Sequence, residues 1–268
     1  MMRIPVNTSS TGPAGRMLAI ASGKGGVGKT VLSSALASAF SGKGEQTLLI
    51  DGDLGMANID VQLGLQPDAD LAAVLAGEVL LEDAVQRVMG GAIRAGGFDV
   101  ISGRSGSGAL SDLKPEAVGK LAAGVAALSL YYDRAILDLA AGADHSTMRL
   151  AMAADDVLIV INDEPTSLTD AYAFVKTLRR RDDSAAPLVV VNNAPSKEAA
   201  LSAYGAFRKT CESFLGFTPQ MVGSIAHDMA IPDSIRAQMP LAQRHPNCEA
   251  FRDVEKLAGY LAQGQKAA

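Results

Sequence analysis

A glycine-rich segment near the start of the chain carries the clearest chemistry: Gly23-Lys24-Gly25-Gly26-Val27-Gly28-Lys29-Thr30. It follows a short apolar run, residues 17–21, and precedes apolar residues at helical spacing. A strand, a glycine-rich loop ending in Lys-Thr and a helix together form the context of a phosphate-binding loop. In such a loop, backbone N–H groups and the helix N-terminus face an anion. We therefore predict that Lys29 reaches the β- and γ-phosphates of a nucleoside triphosphate, with the Thr30 hydroxyl on Mg²⁺.

The same glycines allow a second interpretation. Gly23, Gly25 and Gly28 also spell the dinucleotide-binding pattern G-x-G-x-x-G, and Asp51 follows at roughly the 20-residue spacing of that fingerprint. The Lys-Thr pair that ends the loop favours the triphosphate interpretation, because a dinucleotide-binding turn has no use for a lysine and a hydroxyl at that point.

Three aspartates lie at the ends of predicted strands, where ligands of open α/β sheets bind. Asp51 and Asp53 follow the apolar run 47–50, and Asp138 closes the run 135–137 in the form of a Walker B motif. We predict that Asp138 binds Mg²⁺ through water. Of Asp51 and Asp53, one can hold the hydration shell of Mg²⁺ and the other can position the attacking water. Each acid alone has a plainer explanation, as a solvated turn or a helix cap, so the prediction depends on their joint occurrence with the loop.

Two further positions complete the predicted site. Gly142 follows the Walker B strand, where a glycine lets a backbone N–H approach the γ-phosphate. Asn192 follows the run 188–191, and its amide can both donate and accept, which suits a purine edge. Asn193 beside it suits a turn equally well. The residues predicted to bind the nucleotide are Gly23, Lys24, Gly25, Gly26, Val27, Gly28, Lys29, Thr30, Val31, Gly142 and Asn192.

The composition provides for a sizeable core. Of 268 residues, 48% are hydrophobic, and the net charge of −5 disfavours nonspecific binding of nucleic acid. The two cysteines, Cys211 and Cys248, are far apart in sequence, which argues against a disulfide framework and a paired-cysteine metal site. Residues 1–15 lack the apolar core of a secretion signal, and no run of about 18 apolar residues occurs, so we expect a cytoplasmic protein.

Strand-like and helix-like segments alternate along the chain, which predicts a doubly wound, mostly parallel α/β fold. Unalternated apolar runs such as 157–161 indicate strands buried on both faces of a parallel sheet. One apolar stripe predicts a helix over 167–180, with Ser167 at its cap. The predicted strands span residues 17–22, 47–50, 98–101, 134–137, 157–161, 188–191 and 221–225.

We expect one domain, residues 17–262, between flexible tails at 1–16 and 263–268. The less regular stretch 65–96 suggests short helices beside the nucleotide site. An apolar stripe also runs through 249–262, but the polar face there is more acidic than basic. A membrane-surface helix should have a basic polar face, so we expect this final helix to pack on the core.

The lysine directly after the first glycine, Lys24, makes the loop resemble the deviant Walker A motif of the MinD/ParA family of ATPases. The resemblance extends to Asp51-Gly52-Asp53 as switch I, and to Asp138 with Ala141-Gly142 as switch II. It implies a P-loop fold of the SIMIBI (MinD-like) class, ATP and Mg²⁺ as ligands, slow hydrolysis and an ATP-bound homodimer. In that family the early lysine reaches the partner's phosphates, as an arginine finger would. The catalytic residues are then Lys24, Lys29 and Asp53, with Asp53 orienting the attacking water. Thr30 coordinates Mg²⁺, with Asp51 and Asp138 in its outer shell.

Residues 53–65 and 164–172 resemble the FlhG (FleN) group, the MinD-like regulators of flagellar number and placement. This resemblance implies a flagellar GTPase or transcription regulator as partner, and a peripheral position at the membrane or cell pole. Three alternatives stay open: a DNA-partition ATPase of the ParA type, a septum-site MinD, and a nucleotide-gated binding module with little hydrolysis. Ala140 stands where the family usually has Pro or Gly, which implies altered switch II geometry and lower turnover.

Overall fold

The computed structural model describes residues 15–88, 97–103 and 114–263. Within these ranges the chain forms one eight-stranded sheet with helices on both faces. The strands are β1 (Arg16–Ser22), β2 (Thr47–Gly52), β3 (Gln86–Val88), β4 (Phe98–Ile101), β5 (Arg134–Ala141), β6 (Asp156–Ile161), β7 (Leu188–Ala194) and β8 (Gln220–Ala226). The helices are α1 (Lys29–Gly42), α2 (Ile59–Leu63), α3 (Leu71–Ala76), α4 (Pro115–Ser129), α5 (His145–Ala151), α6 (Pro165–Arg181), α7 (Lys197–Leu215), α8 (Ala230–Arg236), α9 (Leu241–Arg244) and α10 (Glu249–Gln263).

The strand order β3-β4-β2-β5-β1-β6-β7-β8 confirms the predicted doubly wound, mostly parallel sheet. Each neighbouring pair is parallel except β3 with β4. β1 lies between β5 and β6, so the chain leaves β1 at a point where the strand order reverses. Ligands of such sheets bind beyond the carboxyl ends of the strands at this switch point. The topology therefore places the glycine-rich loop in the crevice, beside the end of β5.

The unalternated apolar sequence of β1 is explained by two cores, one on each face of the sheet. Met17 and Ala19 belong to the core that α4, α5, α6 and α7 cover, whereas Leu18 and Ile20 belong to the core under α1 and α10. Successive side chains of a strand point to opposite faces, so a strand buried on both sides needs apolar residues at every position.

The final helix packs on the core, as its stripe predicted. The residues of α10 that are buried lie in the same apolar cluster as Leu32 and Leu36 of α1. Among the described residues, no helix is both long enough and apolar enough to span a membrane.

Three local predictions differ from the structure. β3 was not predicted, because a three-residue edge strand with one buried apolar residue has no readable period. β1 begins at Arg16, inside the predicted tail, while residues 1–14 and 264–268 lie outside the described residues. The capping role of Ser167 was wrong. α6 begins at Pro165, which suits a first turn because proline has no N–H to leave unpaired, and the Ser167 hydroxyl instead accepts from the N–H of Asn162 at 3.3 Å.

The N-terminus of α5 depends on Asp144. Its carboxylate accepts from the N–H groups of Ser146 (2.8 Å) and Thr147 (3.1 Å) and from the Thr147 hydroxyl. We expect Asp144→Ala to lower the free energy of unfolding by about 1 kcal/mol, the usual worth of an N-cap. Urea unfolding measures this change. The control, Asp68→Ala in an exposed loop, should change stability by less than about 0.5 kcal/mol, and an equal loss in both variants would contradict the capping role.

Candidate nucleotide-binding site

The glycine-rich loop adopts a backbone that its glycines make possible. Gly26 has φ +81° and Gly28 has φ +89°, in the left-handed region that favours glycine. Gly28 is also the residue before α1, and a β-carbon there would lie 2.4 Å from the Asn192 amide nitrogen. At Gly23 a β-carbon would lie 2.0 Å from the carbonyl carbon of Asp170. The loop is thus packed against α6 and the end of β7 with no room for side chains at these two positions.

This packing predicts a large difference between two Gly→Ala substitutions. Gly23→Ala should lower the free energy of unfolding by about 3 kcal/mol or more, because backbone atoms of α6 would have to move. Gly25→Ala should cost less than about 1 kcal/mol, since its β-carbon would meet only Ala141 Cβ at 4.0 Å. Thermal or urea unfolding of the nucleotide-free protein measures both, and similar stabilities for the two variants would contradict the packing argument.

Lys29, at the start of α1, lies over a buried carboxylate. The residue is 9% exposed, and burial lowers the pKa of Lys29, while Asp138 and Asp53 act in the opposite sense. Asp138 lies within β5, because the strand continues to Ala141 and does not end at residue 137 as predicted. It is 1% exposed, and burial raises its pKa to about 6. Its side chain is hydrogen-bonded to Thr30 and to the Ser33 hydroxyl, at 3.0 Å from the latter. Side chains of α1 and the carboxylate of β5 therefore meet at Asp138.

Asp51 lies beside Asp138 but has different partners. The two residues pair in register between β2 and β5. Asp51 accepts from three backbone N–H groups of the following segment, those of Asp53 (3.2 Å), Asn58 (3.0 Å) and Ile59 (3.1 Å). Burial, reinforced by the neighbouring Asp138 charge, raises the pKa of Asp51 to about 7.

Asp53 is partly exposed and faces the open cavity of the loop. Its Oδ1 accepts from the N–H groups of Gly55 (3.2 Å) and Met56 (2.9 Å). Asp53 lines a cavity of about 620 Å³ together with Lys29 and Thr30. The structure thus brings these three predicted residues to one cavity.

Gly142 and Lys24 lie at the edge of this region. Gly142 has φ +92°, and its N–H donates to the carbonyl of Ser22 in β1 at 2.9 Å. In this structure the N–H that was predicted to approach a phosphate is therefore bonded to β1. The ammonium group of Lys24 contacts the Glu164 carboxylate at 2.5 Å and the Thr166 hydroxyl at 2.9 Å. This contact lowers the pKa of Glu164. Lys24 is about one-third exposed, at 36% of its side chain.

A second, more apolar cavity of about 210 Å³ opens on the other side of the loop. Asn192 lies in its wall, and its Nδ2 donates to the carbonyl of Val27 at 2.7 Å. Asn193 has φ +57° and its Oδ1 lies 2.7 Å from Nδ1 of His227. The predicted turn was wrong, because Asn193 lies inside β7, at an irregularity in the register with β8. The apolar part of the wall comes from α1 and from the last third of the chain, with Leu32, Ala35, Ile225, Ile231, Leu241, Ala250 and Val254.

Sequence reasoning missed several of these contributors. Ser33, Glu164 and Thr166 each contact a predicted site residue, yet serine, threonine and glutamate are common on helix surfaces and carry no signal alone. Val254 was predicted only as part of the core-packing stripe, and Ala250 was not singled out. Their place in the cavity wall depends on where α10 packs, which no local pattern states.

The comparisons with known proteins agree with this geometry. Residues 18–266 match the model of the CobQ/CobB/MinD/ParA nucleotide binding domain. The chain belongs to this family. It is 34% identical to the antiactivator FleN of Pseudomonas aeruginosa over 235 residues, which cover 88% of this chain and 82% of FleN. It is 28% identical to the flagellum site-determining protein YlxH of Helicobacter pylori, over 92% of this chain and 81% of YlxH.

Among solved structures, the septum site-determining protein MinD of Pyrococcus horikoshii, complexed with Mg-ADP, superposes on this member of the family with a TM-score of 0.76. It is 25% identical and covers 94% of this chain and 98% of that chain. The family resemblance that rested on Lys24 and the two switch segments is thereby confirmed.

The residues in the cavity fit Mg²⁺ with a bound nucleotide. Among the described residues, no group of three or more His, Cys, Asp or Glu side chains is placed to hold a metal. Mg²⁺ needs no such cage, because it keeps several waters and takes one or two protein ligands beside phosphate oxygens. Thr30 and Asp138, already hydrogen-bonded to each other, are a donor set of that kind.

Proposed function

We propose that this protein is an ATPase that dimerises on binding ATP and thereby regulates the number or placement of flagella. The observation that carries the switch mechanism is the position of Lys24. Its ammonium group lies at the protein surface, beside Glu164 and Thr166. Lys24 adjoins Gly25, which lines the cavity assigned to the phosphates. A surface cation beside that cavity can serve the site of a second copy, as an arginine finger supplied in trans does.

We assign the phosphates to the loop backbone and Lys29. The Thr30 hydroxyl and Asp138 would hold Mg²⁺, which when bound neutralises charge that develops on the phosphates. Ser33 fixes the Asp138 carboxylate by a hydrogen bond from the helix side. Asp53, with one oxygen bound to its own loop, has its second oxygen left to orient the attacking water.

We assign the nucleotide base to the 210 Å³ cavity. Its apolar wall suits a flat aromatic ring. The Asn192 amide nitrogen donates one of its two N–H groups to the carbonyl of Val27. We assign the amide oxygen to the ring edge. An acceptor there favours adenine, whose exocyclic group donates, over guanine, whose O6 accepts.

The flagellar assignment draws on FleN and YlxH, which match along most of their lengths and of this chain. The septum-site MinD of Bacillus subtilis matches only 66% of this chain, which gives the division alternative less support. The net charge of −5 gives no support to DNA partition.

We propose a second copy of this chain as the first partner, and a flagellar GTPase or transcription regulator as the next. We propose that these partners bring the protein to the membrane or the cell pole. The apolar face of α10 is buried, so it does not serve as the membrane anchor.

Two measurements test the proposal. Calorimetry with Mg²⁺ should show ATP binding about tenfold or more tighter than GTP, if Asn192 reads the base. Deleting the gene should change the number of flagella per cell counted by electron microscopy, and the wild-type gene should restore it where a Lys24→Ala gene does not. No heat of ATP binding would overturn the ATPase, and an unchanged flagellar count would overturn the flagellar role.

A further inference from the structure

Asp51 has the geometry of a residue that shapes a loop. Its Oδ1 accepts the N–H of Asp53 and its Oδ2 accepts the N–H groups of both Asn58 and Ile59. A carboxylate offers about four lone-pair positions, so three are already taken. All three donors belong to the segment 53–59, which we call the switch loop. Asp51 therefore closes this loop at both of its ends.

The switch loop has further short-range hydrogen bonds: the N–H of Leu54 donates to the carbonyl of Gly52, and those of Gly55 and Met56 donate to Asp53. Leu54 and Ala57 are buried, whereas Met56 is 75% exposed. Asn58 precedes α2 without capping it through its side chain. The first N–H groups of a helix need acceptors, and Asp51 in β2 supplies one for Ile59, the first residue of α2.

Asp138, which pairs with Asp51 across β2 and β5, is bonded to a different part of the site. Asp138 is hydrogen-bonded to side chains of α1, those of Thr30 and Ser33, and lies under Lys29. Two buried carboxylates at equivalent positions of adjacent strands are thus joined to different parts of the site. One is tied to the phosphate loop and its helix, and the other to the switch loop.

We propose that Asp51 is a positioning residue, which acts on the reaction by holding the switch loop so that Asp53 faces the phosphate cavity, and that it is not a ligand of the Mg²⁺ shell. This replaces the metal role that the sequence predicted for Asp51. The role of Asp53 in this inference rests on the proposed function. The contact of Asp51 with the switch loop is independent of that function.

Asp51→Asn tests the proposal, with Asp138→Asn as the matched control. Asparagine keeps the shape of the side chain but turns one acceptor into a donor that faces a backbone N–H. In the nucleotide-free protein, we expect Asp51→Asn to speed hydrogen exchange of the Asp53, Asn58 and Ile59 amides about tenfold or more, with β1 unaffected. Its kcat should fall about tenfold or more, while the Mg²⁺ concentration for half-maximal rate stays within about twofold of wild type.

Asp138→Asn should show the opposite pattern. The Mg²⁺ concentration for half-maximal rate should rise about 10- to 100-fold, and exchange in the switch loop should stay at the wild-type rate. Unchanged exchange at the three amides in Asp51→Asn would overturn the proposal, as would a tenfold or larger weakening of its Mg²⁺ dependence. Because the exchange experiment uses no nucleotide, failure of the ATPase proposal in the wild type would be seen separately.

A second variant moves the switch loop without altering the Asp51 carboxylate. A β-carbon at Gly103 would lie 2.3 Å from Cβ of Ala57, while the Asp51 carboxyl carbon lies at an ordinary 3.5 Å. We expect Gly103→Ala to lower kcat with little change in the Mg²⁺ dependence. This variant keeps the proposal testable if Asp51→Asn does not fold, and an unchanged kcat in a folded Gly103→Ala protein would overturn it.

Discussion

Lys24→Ala should abolish the ATP-dependent dimer and leave ATP binding by the monomer within about twofold of wild type. The monomer's own phosphates are assigned to Lys29 and the loop backbone, and charge supplied in trans is worth about 10³–10⁵ in rate in related phosphoryl-transfer sites. We therefore also expect turnover to fall to the level of the isolated monomer. Size-exclusion chromatography with light scattering measures the dimer, and calorimetry measures binding.

Glu164→Gln is the matched control for Lys24. It removes the carboxylate that contacts the ammonium group and keeps the lysine itself. An ion pair this exposed contributes little, so the dimer constant should change by less than about tenfold. A normal ATP dimer of Lys24→Ala would contradict the trans role, and loss of the dimer in Glu164→Gln alone would move that role to the carboxylate.

Asp53→Ala should trap the ATP dimer. Loss of a group that positions water lowers rates by about 10²–10⁴, and a dimer that dissociates only after hydrolysis should persist for correspondingly longer. Single-turnover hydrolysis and chromatography at intervals after addition of ATP measure the two effects together.

Asp53→Asn separates this chemistry from loop structure. Asparagine retains the oxygen that accepts from Gly55 and Met56, so the loop bonds remain, but the negative charge is lost. We expect Asp53→Asn to trap the dimer as Asp53→Ala does. Wild-type turnover in Asp53→Asn would show that only the loop bonds matter, contrary to the role given to this residue.

The fold was readable from the sequence because its signals are local. β1, β6 and β7 are continuous apolar runs, and a parallel sheet covered on both faces requires them. The phosphate-binding loop was readable because its glycines and the Lys-Thr pair are adjacent in the chain. β3 was not, since the short edge strand is set by its pairing with β4. The start of α6 had a local signal in Pro165, which the prediction passed over in favour of Ser167.

The site was predictable as a set of residues and less so as a set of contacts. Asp51, Asp53 and Asp138 share the same signal, an acid at the end of an apolar strand. Which of them binds α1 and which binds a loop depends on the direction of each side chain in the folded protein. The base cavity is a still stronger case, because Ala250 and Val254 are separated from the phosphate-binding loop by more than two hundred residues of sequence.

That cavity is built from both ends of the chain. Gly26 and Val27 form one side of it near the beginning, and α10 forms another near the end. A growing polypeptide on the ribosome therefore has its glycine-rich loop long before α10 closes the cavity proposed for the base. A fragment released before Glu249 would leave Leu32 and Ala35 uncovered and would lack this wall.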